Sequence, residues 1–155
     1  MRFKMPATFP ITVEADCPSH ARTDARARQH TIVIDEPPQR GGTDVAATPL
    51  ETLLAAFLGC TNVIFNMIAE RRGVRIGRLK LKVTADFDTR GVFEHPVERP
   101  FPRIRLEAEV EADASEATID DLRKELAQRC PVSVILRRAG SIVDERWTVR
   151  PIDAG

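Results

Sequence analysis

The sequence predicts an α+β protein in which helices cover one face of an antiparallel sheet. Two segments, "LKLKVTADF" and "IRLEAEVEA", alternate apolar with polar or charged side chains, which is typical of strands with one buried and one solvated face. Two other segments, residues 49–72 and 115–140, place apolar residues at helical spacing. The chain order is strands, helix, strands, helices and a last strand, and this order favours the α+β class.

The length and charge of the chain limit the kind of protein it can be. Its 155 residues fit a single domain, residues 1–155, with a substantial core. The 23 basic and 23 acidic side chains cancel, so no net charge favours nucleic acid or an anionic membrane as a partner. No apolar run approaches a membrane span, and the first stretch, "MRFKMPATFP", lacks the apolar core of a secretory signal. We therefore expect a cytoplasmic protein that binds neither nucleic acid nor membrane.

The first third of the chain is predicted to be extended and to end in a loop. "ITVEAD" alternates loosely, and "ARARQHTIVIDE" runs to an apolar end, which places Arg28 on a strand. Pro37 and Pro38 with Gly41 and Gly42 stop any regular element, so a loop is expected before the first helix.

A long helix is predicted over residues 49–72. Thr48 fits the N-cap, Pro49 fits the first helical position, and Glu51 completes a capping box. Cys60 falls in the middle of this helix. The spacing predicts that Cys60 faces inward on an apolar stripe with four other residues, Leu53, Phe57, Ile64 and Met67.

Apolar side chains occur on more than one face of this helix. Leu54 and Leu58 lie outside the stripe that carries Cys60. One sheet cannot cover every apolar face, and a second copy of the chain is the simplest additional cover. The sequence therefore predicts a homodimer.

The two alternating segments are expected to pair with each other. An antiparallel pairing could set Lys80 and Lys82 opposite glutamates, which is a modest stabilising contribution. The connection between them, residues 88–102, is long and carries three prolines, so we expect it to be mobile or functional.

The second helical region carries another cysteine. It starts near Ser115 and continues through Leu126 to Cys130, after which Pro131 can open a new short helix that ends at Gly140. Cys130 therefore lies at or near the N-cap of the new helix. Backbone N–H groups and the helix dipole at such a position favour a thiolate. "SIVDERWTVR" then forms the last predicted strand.

The residue pattern leaves two interpretations of Cys60 and Cys130 open. Reduced cysteine behaves as a small hydrophobe and is often buried, so both side chains could simply fill core space. If the two helices pack together, the same side chains could form a redox pair. In such a pair one thiol reacts and the other resolves the sulfenic acid that forms.

Each of the two helix cysteines lies in a distinctive stretch of sequence. "TPLETLLAAFLGC" ends in the first cysteine, and "RCPVSVILRRAG" carries the second one seventy residues later. The two stretches resemble the OsmC/Ohr family, the osmotically inducible and organic-hydroperoxide-resistance proteins. "HTIVIDEPPQRGGTD" and the order of elements are also similar, so the likeness runs from about residue 28 to residue 149. The resemblance implies the OsmC-like fold, with antiparallel sheets packed on two central cysteine-bearing helices in an intertwined homodimer.

The same resemblance implies a thiol-dependent peroxidase that reduces organic hydroperoxides. By position, Cys60 would be the peroxidatic thiol and Cys130 the resolving thiol, which closes a disulfide with it. A dithiol reductant, often a lipoyl-protein, would restore the two thiols. No metal and no organic cofactor is implied, and the apolar helix stripe fits an alkyl hydroperoxide better than hydrogen peroxide.

Family enzymes orient the thiolate with an arginine and a glutamate. The glutamate usually follows the proline of the helix start directly, but here Leu50 occupies that place and Glu51 comes one residue later. Nine residues, or two and a half turns, separate Glu51 from Cys60, so Glu51 points away from Cys60 on its own helix. Glu51 could still hold the arginine, or it could only cap its helix. Arg40 is the favoured arginine and Arg28 the alternative, and a solvated surface charge is the simpler interpretation of either.

Cys17 and His20, in "CPSH", have a spacing seen between metal ligands. Two ligands do not make a metal site, and no second pair follows. We therefore expect Cys17 to lie in a loop and to be dispensable.

Two other functions compete with the peroxidase. One is a non-catalytic OsmC-like dimer that binds an apolar or acyl ligand in an interface groove lined by Phe57, Ile64 and Met67. The other is a structural dimer with inert core cysteines. The peroxidase differs from both in requiring Cys60 and Cys130 within disulfide reach, which means Cα atoms about 4.4 to 6.8 Å apart.

Overall fold

The structure, a computed structural model, describes residues 6–152. By its internal contacts the chain divides into two compact units, one ending at Leu53 and the other beginning at Leu54. The single domain expected for residues 1–155 stays a prediction. Residues 1–5, at the start of the stretch expected to lack a secretory signal, lie outside the described residues.

The described part of the chain contains six strands and four α-helices, and the predicted α+β class is confirmed. A short 3-10 helix, Pro38–Arg40, precedes the first α-helix. In chain order the elements are β1 (Glu14–Asp16), β2 (Thr23–Ala27), β3 (His30–Ile34), α1 (Pro49–Arg71), β4 (Ile76–Asp86), α2 (Arg90–Phe93), β5 (Arg103–Ala112), α3 (Glu116–Arg129), α4 (Pro131–Arg138) and β6 (Ile142–Arg150).

The first unit contains an antiparallel sheet in the order β1-β2-β3. The run expected to be one extended segment is a hairpin, because Ala27 pairs with His30 and the two residues between them form the turn. The prediction that Arg28 lies on a strand is wrong, since Arg28 is in this turn with φ +56. Two-residue hairpin turns require a positive φ, and asparagine or glycine usually marks them. Neither residue is present here, so the sequence gives no turn signal.

Buried Asp35 holds the loop that follows β3. Its Oδ2 atom accepts hydrogen bonds from the Thr43 hydroxyl at 2.6 Å and from the backbone N–H groups of Thr43 at 2.9 Å and Val45 at 3.3 Å. These bonds, the Thr43 hydroxyl first among them, lower the pKa of Asp35 to about 2. An ionised carboxylate therefore closes this loop at neutral pH.

The second unit contains a sheet in the order β4-β5-β6. The predicted antiparallel pairing of β4 with β5 is confirmed, and Lys80 and Lys82 lie opposite Glu109 and Glu107. The expectation of purely antiparallel sheets is wrong for β6, which pairs with β5 in parallel. Parallel neighbours need a long crossover connection, and α3 and α4 provide it.

The connection between β4 and β5 contains the short helix α2. Its two ends are joined, because the Asp88 backbone N–H donates to the carbonyl of Pro100 at 2.9 Å. The Arg90 guanidinium also pairs with the Asp88 carboxylate at 2.6 Å.

Helix α1 buries only part of the predicted stripe: Phe57 is buried, and Cys60 and Ile64 pack against the core. Leu53 and Met67 are exposed, so the prediction that they face inward is wrong. The buried row lies one step round the helix, because the large Phe65 ring packs on Trp147 of β6 with ring centroids 4.7 Å apart. The buried residues of α1 are Phe57, Thr61, Phe65, Ile68 and Ala69.

Helix α1 is also long and apolar enough to cross a membrane, judged by length and composition alone. The prediction that no apolar run approaches such a length is therefore wrong. Membrane spans and central core helices share this property. In this structure Phe65 and Ile68 of α1 form a core cluster with Val110 of β5 and Leu122 of α3.

Candidate active site

Cys130 lies at the junction of two helices. Its backbone N–H donates to the carbonyl of Leu126 at 2.9 Å, which closes α3, and its own carbonyl accepts from the N–H of Val134 at 2.9 Å, which opens α4. Pro131 occupies the first position of α4, where its missing N–H costs no helical hydrogen bond. The predicted N-cap position of Cys130 is confirmed.

The structure brings Cys130 against Cys60, which lies in the middle of α1. The two Sγ atoms are 2.9 Å apart, and the Cys130 thiol donates to the Cys60 sulfur. Both cysteines are free thiols. A disulfide bond is about 2.05 Å long, so about 1 Å of sulfur movement separates the two thiols from a bond.

The two thiols differ in their access to solvent. Cys130 is 0% exposed and belongs to the core cluster that contains Phe65 and Leu126. Cys60 packs against the edge of that cluster and is only half-buried. A molecule from solvent therefore has a route to Cys60 but none to Cys130.

Burial also decides the protonation of Cys130. The apolar surroundings and the neighbouring Cys60 thiol raise the pKa of Cys130 to about 11. The backbone N–H groups of Ser133 and Val132 at the start of α4 act in the opposite direction but are outweighed. The expectation that the helix start makes Cys130 a thiolate is wrong, since desolvation is stronger, and Cys130 is a thiol at neutral pH.

The other two candidate residues, Arg40 and Glu51, have local partners in or at the edge of the first unit. Glu51 forms the predicted capping box: the Thr48 N–H donates to Glu51 Oε2 at 2.8 Å, and the Glu51 N–H donates to Thr48 Oγ1 at 3.4 Å. The Thr48 N–H is the main reason that the pKa of Glu51 is lowered, with a smaller contribution from the charge of Arg40. Arg40 Nε lies 2.7 Å from Glu36 Oε2. A role of either residue in orienting the Cys60 thiolate stays a prediction.

A model of the family described as OsmC-like protein matches residues 41–145, a span that includes both cysteines of the thiol pair. The chain belongs to the OsmC-like protein family. The resemblance seen in the two cysteine motifs is thereby confirmed. A search of curated proteins finds no match.

Solved structures of OsmC-like proteins share the fold. The OsmC-like protein from Mycoplasma pneumoniae has a TM-score of 0.78 at 21% identity, covering 91% of this chain and 97% of that chain. The organic hydroperoxide resistance protein OsmC from Legionella pneumophila has a TM-score of 0.65 at 16% identity, covering 93% and 98%. The organic hydroperoxide resistance protein OhrB of Bacillus subtilis has a TM-score of 0.59 at 16% identity, covering 92% and 98%.

Cys17, the third cysteine of this OsmC-like chain, is exposed, and its sulfur lies 3.9 Å from the Thr23 hydroxyl. His20, its predicted neighbour in "CPSH", has its ring against the backbone of Gly41. Among residues 6–152 no group of three or more His, Cys, Asp or Glu side chains could hold a metal ion.

Sequence reasoning missed three connected polar residues on α4, the helix that Cys130 caps, and on β6: Ser133, Arg137 and Glu145. Ser133 is buried, and Arg137 Nε donates to its hydroxyl at 3.2 Å. Glu145 lies on the inner face of β6, between the half-buried Val143 and Trp147. A carboxylate on the apolar face of an alternating strand is a signal that the sequence does contain.

Proposed function

We propose that this OsmC-like protein is a thiol-dependent peroxidase that reduces organic hydroperoxides through Cys60 and Cys130. The observation that carries the proposal is the 2.9 Å separation of the two sulfurs, which come from positions seventy residues apart. Cysteines that only filled core space would not need to face each other. The names of the Legionella pneumophila and Bacillus subtilis neighbours, both organic hydroperoxide resistance proteins, support this class of substrate.

The solvent access of each thiol supports a different role for each. Cys60 is half-buried, so a peroxide can reach it, and its sulfur already faces the Cys130 thiol at 2.9 Å. Cys130 is fully buried and protonated at neutral pH, so it is protected from the peroxide. Cys60 is therefore the peroxidatic thiol and Cys130 the resolving thiol.

The reaction proceeds in two steps. The Cys60 thiolate attacks the terminal oxygen of the hydroperoxide, the O–O bond breaks, and the alkoxide takes up a proton and leaves as an alcohol. Cys60 is then a sulfenic acid. Deprotonated Cys130 attacks the Cys60 sulfur, and the hydroxide that leaves combines with the proton from Cys130 to give water. The disulfide holds the two electrons lost by the thiols, and a dithiol reductant such as a lipoyl-protein returns them in the cytoplasm, where thiols are kept reduced.

One equivalent of cumene hydroperoxide tests this function. We expect the protein to lose two thiols, to release one equivalent of cumyl alcohol, and to decrease in intact mass by two hydrogens. Dihydrolipoamide should restore both thiols. Cys17→Ser is the control and should give the same stoichiometry, since Cys17 is exposed and outside the pair. Unchanged thiols with cumene hydroperoxide retained intact on the protein would instead support the ligand-binding alternative.

We also propose that the protein acts as a homodimer. Helix α1 leaves an apolar face uncovered by its own chain: Val63 is 56% exposed and Met67 is 41% exposed. Gly59 lies on the same side of the helix, and a Cβ atom placed there would meet nothing within 4 Å. A contiguous apolar face of this kind is a protein–protein contact surface, and a second copy supplies a matching one.

Sedimentation equilibrium at micromolar concentration should give twice the mass of one 17.3 kDa chain. Val63→Glu places a charge in the proposed contact and should shift the equilibrium to the monomer. Glu116→Gln, a change at an exposed position at the start of α3, is the control and should leave the dimer intact. A wild-type monomer would contradict the proposal.

A further inference from the structure

An ionic cluster around one buried carboxylate includes a residue of the helix that Cys130 caps. The side chain of Glu145, on β6, is 4% exposed. Its Oε1 atom is 2.6 Å from Nη2 of Arg137 on α4. Its Oε2 atom accepts from the indole N–H of Trp147 at 3.1 Å and lies 3.7 Å from Nη1 of Arg123 on α3. One carboxylate therefore joins β6 to both of the helices that meet at Cys130.

The cluster is also connected to the helix turn that begins at Cys130. Arg137 uses a second nitrogen, Nε, to donate to the hydroxyl of buried Ser133 at 3.2 Å. Ser133 is in the first turn of α4, the turn that the Cys130 carbonyl opens by accepting from the Val134 N–H. The order of contacts is therefore Glu145, Arg137 and Ser133, and Ser133 shares this turn with Cys130.

The junction needs such a support because the helical backbone bonds are interrupted there. Cys130 has extended dihedral angles, φ −69 and ψ 112, and Pro131 has no N–H to give. The angle between α3 and α4 therefore depends on side-chain contacts across the junction. Buried ion pairs contribute little net stability on average, and their best-attested use is to specify one arrangement.

We propose that Glu145 is a positioning residue that, through Arg137 and Ser133, fixes the first turn of α4 so that the Cys130 sulfur faces Cys60. The inference rests on the proposed function in assigning Cys130 as the resolving thiol. It goes beyond that function because it requires a residue, Glu145, that touches neither the peroxide nor the two sulfurs. Removing its charge should slow disulfide closure and leave the reaction of Cys60 unchanged.

Disulfide closure can be measured without peroxide. Diamide oxidises any adjacent dithiol, since its N=N bond accepts the two electrons and two protons. We expect Glu145→Gln to close the Cys60–Cys130 disulfide with diamide on the order of tenfold more slowly than the wild type, the scale of loss that a small misplacement of a reacting group produces. Single alkylation of Cys60 by iodoacetamide should keep its wild-type rate. A residue with only a structural role would not separate these two rates.

Glu125→Gln is the matched control. Glu125 also carries two arginine partners, Arg72 at 2.7 Å and Arg129 at 2.8 Å, but it contacts neither α4 nor β6 through them. The Glu125→Gln variant should close the Cys60–Cys130 disulfide with diamide at the wild-type rate. A wild-type rate in Glu145→Gln, or equal slowing in both variants, overturns the inference.

If Glu145→Gln does not fold, Arg137→Lys tests the positioning role of Glu145 instead. A lysine keeps a cation for Glu145, but its single nitrogen cannot span Glu145 and Ser133 as the guanidinium does. It should also slow closure with diamide, and a wild-type rate would overturn the inference. If the wild type closes the disulfide with diamide but consumes no cumene hydroperoxide, the proposed peroxidase function is contradicted. The role of Glu145 is then decided by the rates of closure with diamide.

Discussion

Cys60→Ser should abolish the reduction of organic hydroperoxides. Cys60 is the accessible sulfur of the pair, and the hydroxyl that replaces it is a far weaker nucleophile at neutral pH than a thiolate. We expect the rate of cumene hydroperoxide consumption, measured with dihydrolipoamide as reductant, to decrease by at least about a thousandfold. The fold should persist, because serine is close to cysteine in volume and the site is only half-buried.

Cys17→Ser is the control for this experiment. The Cys17 sulfur has only a 3.9 Å contact with the Thr23 hydroxyl and takes no part in the thiol pair. This variant should consume hydroperoxide at close to the wild-type rate. Equal losses in the two variants, or full activity in Cys60→Ser, would mean that the reactive thiol has been assigned wrongly.

Cys130→Ser should react once with hydroperoxide and then stop. Cys60 keeps its nucleophile in this variant, but the thiol that faces it and would resolve the sulfenic acid has been removed. Cys60 should therefore accumulate as sulfenic acid and, with excess hydroperoxide, as sulfinic acid. Intact mass spectrometry distinguishes the two by one oxygen, and a non-reducing peptide map should contain a Cys60–Cys130 peptide in the wild type alone.

The pH dependence of closure provides a second measurement on the same thiol. A pKa of about 11 for Cys130 means that its thiolate fraction increases about tenfold for each pH unit below that value. Closure in the wild type, once Cys60 is oxidised, should therefore become faster from pH 7 to pH 9. Normal turnover by Cys130→Ser without a Cys60–Cys130 peptide in the wild type would contradict the two-cysteine mechanism.

The amino-acid sequence alone determined the features that depend on neighbouring residues. The capping box at Thr48 and Glu51 and the opening of α4 at Pro131 follow from hydrogen-bonding rules that span four or five residues. The pairing of Lys80 and Lys82 with glutamates follows from two alternating strands with a single sensible register. The cysteine motifs also sufficed to indicate the family.

Tertiary structure decided what depends on distant packing. Which face of α1 is buried was set by the contact of Phe65 with Trp147, eighty-two residues away in the chain, and not by helical spacing alone. The direction of β6 was set by the two-helix crossover, because strand patterns do not distinguish parallel from antiparallel neighbours. The alternation of β6 did mark Glu145 as unusual, but only the fold shows which arginines it meets.

The chemistry of the thiol pair also depends partly on local sequence and partly on tertiary packing. The sequence placed Cys130 at a helix start, and the backbone N–H groups there do lower its pKa as that position predicts. The packed core and the Cys60 sulfur outweigh them and raise the pKa to about 11, because desolvation depends on every element that surrounds the thiol. A residue's local position can be deduced from the sequence, whereas its burial and its partner seventy residues away exist only once the chain has folded.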